Sequence, residues 1–391
     1  MLRALTDPRR LARPWKALRA RSCASHGPAG PPEIQVRALA GADHGIAEIL
    51  MNRPSACNAL GNVLVNQLLE ALAQLREDQQ VRVLLFRSGV KGVFCAGADL
   101  KEREQMSEAE VGIFVQRLRG LMNEIAAFPA PTIAAMDGFA LGGGLELALA
   151  CDLRVAASSA VMGLIETTRG LLPGAGNYTH STHPSLLSPT LSRLLPCFPL
   201  LLCALPFHPN SGSAPLRSLF TPKLGFSGLP LPKWIYYPCF ILAGGTQRLP
   251  RCIGVALAKE LIFTGRRLNG AQAQALGLVN HTVLQNEDGN AAYHRARELA
   301  QEILPQAPIA VRLGKVAIDR GMEVDIASGM AIEGICYAQN IPTQDRLEGM
   351  AAFKEKRPPR FVGRSSQVFN SNYLLVMGEI FQSLEKQTGD L

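Results

Sequence analysis

The stretch that decides the fold is Asp137–Asp152, which reads DGFALGGGLELALACD. It follows a β-rich segment, and its three glycines, Gly142 to Gly144, open an apolar run that predicts a helix near Leu145. A helix N-terminus presents free N–H groups and the positive end of the helix dipole, which is a favourable place to hold a developing oxyanion. The triple glycine is not the G-x-G-x-x-G pattern and no ribose-binding acid follows, which argues against a dinucleotide-binding fold.

Two further segments contain residues suited to chemistry. Gly92–Glu102, GVFCAGADLKE, follows a buried strand with small side chains, which let a ligand approach the backbone. A simple strand-to-helix turn explains that pattern equally well. In Met162–Gly176, MGLIETTRGLLPGAG, Glu166 lies among apolar residues and glycines, and such surroundings favour the raised pKa that a proton donor near neutral pH needs. Taken alone, Glu166 is equally compatible with a solvated loop acid.

The remaining pattern alternates short strands with helices, which predicts an α/β layered fold. The predicted strands are Ile34–Leu39, Ile46–Asn52, Val81–Ser88 and Thr132–Met136, and the helices between them are Asn62–Leu75, Ser107–Phe128 and Leu145–Ala150. From Gly254 onward the pattern is mostly helical, with helices at Val255–Phe263, Ala271–Leu276, Ala291–Leu304, Pro308–Arg320 and Asp325–Ala338.

The net charge of +8 is unevenly distributed over the 391 residues. Residues 1–30 carry +6 and are rich in Arg, Ala and Leu, which is typical of a mitochondrial transit peptide, with a disordered basic tail as the alternative. Residues 177–244 carry +4, residues 365–391 carry −2, and the rest has no net charge. A neutral core gives little electrostatic reason to expect nucleic-acid binding.

Two kinds of site are not expected from composition. No window reaches the ~18 uninterrupted apolar residues of a membrane span. The nine cysteines show no C-x-x-C or metal-like spacing, so we expect reduced, buried thiols and no metal site.

Residues 177–244 interrupt both periodicities. They hold 11 of the 26 prolines and no acidic residue, and so long an irregular stretch is unusual inside a compact domain. Gly176-Asn177 and Ala243-Gly244 can be encoded by a splice donor and an acceptor, so we hypothesise a translated, retained intron; a genuine lineage-specific insertion is the alternative. Residues 365–391 follow an apparent chain end at Phe361–Gly363 and are predicted to be an atypical C-terminus.

Together, these segments resemble the crotonase (enoyl-CoA hydratase/isomerase) superfamily in order and spacing. Outside the insertion the resemblance runs from about Ile34 to Gly363, and it includes GTQRLPR at 245–251, AKELIFTG at 258–265 and AFKEKR at 352–357. It implies an α/β spiral of ββα units, the crotonase (ClpP-like) fold. The core would span 34–258, interrupted at 177–244, and a helical oligomerisation region would span 259–364.

The resemblance also implies residue roles. The thioester carbonyl of an acyl-CoA would lie between the N–H groups of Ala96 and Gly143, with Ala96, Gly97, Ala98 and Asp99 binding the substrate. Glu146 would orient and activate water, and Glu166 would exchange the proton at the α-carbon. The expected protein is a mitochondrial enoyl-CoA hydratase that needs no cofactor beyond the CoA of its substrate, and it forms homotrimers or hexamers.

The sequence departs from the family where relatives often place a basic residue near CoA, because positions 55–57 are Ser, Ala and Cys. The insertion begins ten residues after Glu166, so we expect it to impair folding or activity. Two alternatives remain. One family member binds AU-rich RNA through a lysine-rich helix, but the matching helix here, 62–76, has no lysine. The other is an inactive crotonase-fold scaffold.

Overall fold

The structure, a computed structural model, describes residues 32–173 and 244–364. The predicted leader at 1–30, nearly all of the 177–244 insertion and the tail at 365–391 therefore lie outside the described residues.

The described chain contains ten strands and eleven α-helices. The strands are β1 Ile34–Ala38, β2 Ile46–Met51, β3 Val83–Ser88, β4 Val93–Cys95, β5 Thr132–Met136, β6 Phe139–Leu141, β7 Leu153–Ala157, β8 Val161–Gly163, β9 Leu268–Asn269 and β10 His281–Val283. The helices are α1 Asn62–Glu77, α2 Leu100–Glu104, α3 Glu108–Ala126, α4 Gly143–Ala150, α5 Gly245–Ile253, α6 Val255–Thr264, α7 Gly270–Ala275, α8 Ala291–Ile303, α9 Pro308–Gly321, α10 Ile326–Asn340 and α11 Gln344–Glu355. Each predicted strand and helix is confirmed to within about two residues at its ends.

The strands form two sheets, as the ββα pattern requires. The larger has the order β1-β2-β3-β5-β7-β10, and the smaller has the order β4-β6-β8-β9. Each repeat places its first strand in the larger sheet and its second in the smaller one: β3 with β4, β5 with β6, and β7 with β8. In the smaller sheet β4, β6 and β8 are parallel, with Cys95 opposite Ala140 and Ala140 opposite Met162. The expected α/β spiral of ββα units is confirmed.

The core lies between the larger sheet and its helices. Strands β2, β3 and β5 are buried along nearly their whole length, as parallel strands covered on both faces usually are. Phe86, Phe94 and Phe128 are among the largest fully buried side chains. At roughly 1.5–3 kcal/mol for each fully buried large apolar side chain, this core supplies most of the driving force for folding.

The core extends further along the chain than the expected boundary at residue 258. Strand β9 pairs with β8, and β10 pairs with β7. Helix α8 packs on β3, β5 and β7, and its alanines Ala292, Ala296 and Ala300 are fully buried at helical spacing. The sequence pattern did not reveal that the chain returns to both sheets, because β9 has two residues and β10 has three. Among the described residues, only the region from α9 to α11 is helical throughout and weakly buried.

Two other expectations can be compared with the described residues. Their five cysteines are free, but only Cys95, Cys151 and Cys336 are buried, while Cys57 and Cys252 are exposed. Burial was therefore predicted wrongly for two of them. Within 32–173 and 244–364, no helix has the length and apolar character needed to cross a membrane.

One glycine contact fixes the distance between α4 and the smaller sheet. A Cβ on Gly144 would lie 2.2 Å from the carbonyl oxygen of Cys95 in β4. No side chain can occupy that space unless the helix moves away from the strand.

We therefore predict that Gly144→Ala lowers the free energy of unfolding by about 1–3 kcal/mol or more, because overpacking forces a backbone shift. Urea denaturation followed by circular dichroism measures this loss. Gly120→Ala in α3 is the matched control, because a Cβ there meets nothing within 4 Å. That control should be neutral or slightly stabilising. Equal effects of the two substitutions would contradict the assigned contact.

Candidate active site

A cavity lies where the three short strands of the smaller sheet end. The chain leaves β4 into Ala96–Ala98, leaves β6 into Gly142–Gly143, and leaves β8 toward Ile165–Glu166, and all three segments line the cavity. Its volume is about 130 Å³. The carboxyl ends of parallel strands are the usual place for a ligand in α/β folds. The topology thus brings together the three segments that the sequence singled out.

Two backbone amides face this cavity. One is the expected amide of Gly143, but the other is not the expected amide of Ala96. The N–H of Ala96 donates to the carbonyl of Cys57 at 3.1 Å, so it is already occupied. The N–H of Ala98 has no acceptor among the described residues, and neither has that of Gly143. Ala98 N lies 3.4 Å from the position that a Cβ on Gly143 would take. The free pair of donors is therefore Ala98 and Gly143, and the assignment of Ala96 as a donor was wrong.

The segment Cys57–Leu60 holds the Ala98 amide in this direction. Leu60 N–H donates to the Gly97 carbonyl at 2.7 Å, and Asp99 N–H donates to the Leu60 carbonyl at 3.1 Å. These two bonds flank Ala98 and leave its own N–H pointing away from Leu60. Gly97 has φ +105°, a left-handed conformation that strongly favours glycine. The chain therefore turns between residues 96 and 98, which gives their amides different directions.

Asn58 anchors that segment in turn. Its side chain is fully buried, and it donates to Ser88 Oγ at 2.8 Å and to the Phe94 carbonyl at 3.1 Å. Its Oδ1 accepts the Arg53 N–H at 2.7 Å. A buried amide with all these bonds made rigidifies the backbone it joins. The sequence offered one signal for it, a polar residue within the apolar stretch Ala56–Leu60.

Asp99 was expected to bind substrate, but the structure gives its carboxylate another role. Ala96, Gly97 and Ala98 line the cavity, and Asp99 does not. Asp99 Oδ1 caps the N-terminus of α2 by accepting the N–H groups of residues 101 and 102, and Oδ2 pairs with Arg53 at 2.8 Å. Its side chain supports the loop that carries Ala98.

Glu146 projects from α4 into the same cavity and is buried, with 3% of its surface exposed. Its Oε1 accepts a hydrogen bond from the backbone N–H of Gly245 at 2.7 Å. Gly245 is the first residue of α5, so the carboxylate lies at the positive end of that helix. The sequence did not predict this contact, because 98 residues separate the two positions.

Glu166 faces Glu146 across the cavity from a 3-10 turn, Glu166–Arg169. Burial, and secondarily the nearby Glu146 carboxylate, raise the pKa of Glu166 to about 7. Its Oε2 is buried without a hydrogen-bond partner among the described residues, and its Oε1 lies 3.0 Å from where a Cβ on Gly142 would be. The sequence-based expectation of a raised pKa for Glu166 is confirmed in direction. The pair therefore offers one carboxyl that is half protonated near neutral pH.

The rest of the cavity wall is mainly apolar. It is formed by the side chains of Leu60, Leu100, Val115, Leu118, Met122, Ile165, Leu171 and Leu172, with Arg103 and Arg169 also present. The turn at Pro54–Ala56 adds no basic side chain, and the adjacent Arg53 is engaged by Glu33, Asp99 and Glu102. Among the described residues, no group of three or more His, Cys, Asp or Glu could hold a metal ion.

Helix α1 corresponds to the helix considered for RNA binding. It contains no lysine, and its one arginine, Arg76, pairs with Glu124 at 2.5 Å. That helix therefore presents no free cation to a phosphate backbone.

The comparisons with known proteins agree with this geometry. The family model described as enoyl-CoA hydratase/isomerase matches residues 41–182 and 239–364, leaving 183–238 unmatched. The chain is 70% identical to enoyl-CoA hydratase domain-containing protein 2, mitochondrial, of Bos taurus, over 93% of this chain and 100% of that protein. It is 46% identical to human methylglutaconyl-CoA hydratase, mitochondrial, over 85% of this chain and 78% of that protein.

A solved structure is similar as well. The crystal structure of enoyl-CoA hydratase from Bacillus anthracis aligns with a TM-score of 0.64 at 36% identity, covering 85% of this chain and all of the other. Fold, site and sequence agree, and the chain belongs to the enoyl-CoA hydratase/isomerase family, whose fold is that of crotonase.

Proposed function

We propose that the protein adds water to 2-trans-enoyl-CoA thioesters. The observation that carries this proposal is the pair of carboxyls, Glu146 and Glu166, facing a cavity that also contains two unoccupied N–H donors. Many crotonase relatives with other chemistries lack one of the two acids, so the presence of both favours hydration over isomerisation or thioester hydrolysis. CoA is part of the substrate, and no separate cofactor enters this proposal.

The proposed reaction uses each feature once. The thioester carbonyl accepts hydrogen bonds from the N–H groups of Ala98 and Gly143. Glu146 removes a proton from water as the water oxygen bonds to the β-carbon, and the resulting negative charge accumulates on the thioester oxygen. Glu166 delivers a proton to the α-carbon as that charge returns. The proton that Glu146 took from water then passes to Glu166, which restores the starting state of both carboxyls. An oxyanion donor of this kind is typically worth ~10²–10³ in rate.

We place this activity in the mitochondrion, in fatty-acid or branched-chain acyl-CoA metabolism. The support is the basic leader at 1–30 together with two relatives that are named mitochondrial. The apolar cavity wall suits a hydrocarbon acyl group.

We also propose that the protein forms homotrimers, alone or paired into hexamers. Helices α9 to α11 leave large apolar side chains exposed, including Met322, Ile326 and Phe353, of which Phe353 is 88% exposed. Large exposed apolar patches usually mark interaction sites. A second copy of the chain is the partner that the family resemblance implies, and light scattering after size exclusion measures the assembly.

The first test of the reaction is Glu146→Gln. Loss of the water-activating carboxylate should lower kcat for crotonyl-CoA by about 10²–10⁴-fold while acyl-CoA binding persists. The assay follows the loss of enoyl absorbance. Glu70→Gln on α1 is the control, because Glu70 is exposed and remote from the cavity. Full turnover by Glu146→Gln would refute the assignment, and an inactive unmodified protein that still binds acyl-CoA would support the scaffold alternative.

The second test uses the Glu166 pKa of about 7. A proton donor works only while protonated, so kcat should fall as pH rises above about 7, and Glu166→Gln should remove that descending limb along with most activity. The folded protein keeps this proton between pH 4.5, the ordinary pKa, and about 7, whereas the unfolded chain has lost it. The free energy of unfolding should therefore fall as pH rises through this window, and Glu166→Gln should abolish that contribution.

The third test is deletion of residues 177–244, which joins Gly176 directly to Gly245. Since α5 then follows Glu166 as the family pattern requires, we expect at least equal kcat and a higher yield of soluble protein. Purified chains with and without the segment are compared in the crotonyl-CoA assay. A shortened chain that is insoluble, beside an active full-length chain, would show that the segment belongs to the fold.

A further inference from the structure

Helix α5 brings a second group toward Glu146, in addition to the backbone N–H of its first residue. Gly245 donates its N–H to Glu146, and Arg248 lies three residues later on the same helix. Residues at i and i+3 share one helix face, so Arg248 lies on the side of α5 that faces α4. The proposed reaction assigns no role to this arginine.

The Arg248 guanidinium is largely removed from water. Its Nη2 donates to Asn123 Oδ1 in α3 over a long 3.4 Å, and its Nη1 is buried without an acceptor among the described residues. Burial lowers the pKa of Arg248, but an arginine remains charged in proteins. A buried cation needs a nearby anion to be tolerated.

Glu146 supplies that anion. It is the strongest of the charges acting on Arg248, while the thiols of Cys151 and Cys252 contribute less and Arg251 opposes. The attraction is mutual, so the guanidinium stabilises the ionised carboxylate by the same interaction.

Helix α3 also packs against α4 and carries Arg117, which donates to Asn62 Oδ1, Glu124, which pairs with Arg76, and Arg119, whose Nε is buried. Strand β4 offers only the Cys95 thiol, whose pKa burial raises to about 12, and β6 has no titratable side chain. The other carboxyl in the cavity is Glu166. The cation that acts on it, Arg169, is exposed and has a smaller effect than burial or Glu146. The two glutamates thus have unequal surroundings.

We propose that Arg248 is a positioning residue that keeps Glu146 ionised and thereby directs the shared proton of the carboxyl pair to Glu166. The inference rests on the proposed hydratase function, in which the two glutamates have different roles. Two carboxyls this close do not both ionise readily, and environment decides which one keeps the proton. Arg248 and the Gly245 amide both favour charge on Glu146, so α5 contributes to the asymmetry of the pair.

The first experiment measures the pair without using activity. Thermal unfolding is recorded for the unmodified protein, Arg248→Met, Glu146→Gln and the double variant. Methionine keeps an apolar stem and removes the charge. In the Arg248→Met protein the Glu146 carboxylate has lost its counter-charge. The Glu146→Gln substitution should therefore raise Tm more, or lower it less, in that protein than in the unmodified one. Additive shifts would overturn the inference.

The second experiment is the pH profile of crotonyl-CoA hydration. Arg248→Met should move the acid limb of kcat to higher pH by about one unit or more and lower kcat more than it changes KM. Arg248→Lys should retain the position of the limb. Arg251→Met is the matched control on the same helix, because Arg251 is exposed and lies 3.6 Å from Glu323, and it should keep the unmodified profile.

The two experiments distinguish a failure of the Arg248 inference from a failure of the proposed hydratase function. A uniform loss of kcat at every pH in Arg248→Met would indicate a merely structural arginine and overturn the inference while leaving the hydratase proposal intact. An unmodified protein that does not hydrate crotonyl-CoA would count against the proposed function, and the thermal cycle would still decide whether Arg248 and Glu146 are coupled.

Discussion

The site depends on three very short parallel strands ending at one edge. Strands β4, β6 and β8 have three residues each, and their register aligns Cys95, Ala140 and Met162 in one row. Close contacts between glycines and neighbouring backbone atoms fix the spacing of these strands and of α4. A Cβ on Gly144 would meet the Cys95 carbonyl oxygen at 2.2 Å, and one on Gly138 would come within about the same distance of the Gly92 carbonyl carbon, at 2.0 Å. Backbone therefore packs on backbone at both ends of these short strands, which fixes the positions of the Ala98 and Gly143 amides that follow them.

The same compactness determines the electrostatics. With α4 pressed against β4, Glu146 is buried opposite Glu166, and little solvent remains to stabilise two negative charges. The fold resolves this by giving one carboxylate a helix N-terminus and a nearby guanidinium, and by leaving the other in apolar surroundings. A proton held at one defined position is what the proposed addition of water near neutral pH requires.

Much of this was predictable from sequence, and what was missed has identifiable physical causes. The long strands and helices were found because their apolar periods extend over five or more residues, and Gly143, Glu146 and Glu166 were found through their segments. Strands β4, β6 and β8 are too short to show a period. The expected donor was Ala96, but the unoccupied amide is that of Ala98. The difference arises at Gly97, whose φ of +105° turns the chain, so amide direction cannot be read from residue order.

The contribution of α5 was missed for a different reason: it depends on distant residues. Gly245 contacts Glu146 and packs so closely on Leu164 that a Cβ would lie 2.3 Å from its Cδ1. Both contacts join the two sides of the insertion. By loop-closure entropy alone, a connection of about 70 residues costs only a few kcal/mol more than a short turn, which is within the 5–15 kcal/mol stability of a typical domain. Closure entropy alone therefore does not prevent the core from folding, and the insertion also bears on how firmly α5 docks against Glu146. In the proposed reaction α5 helps to distinguish the two glutamates, so loose docking would lower the hydration rate first, even in a chain whose sheets and remaining helices are intact.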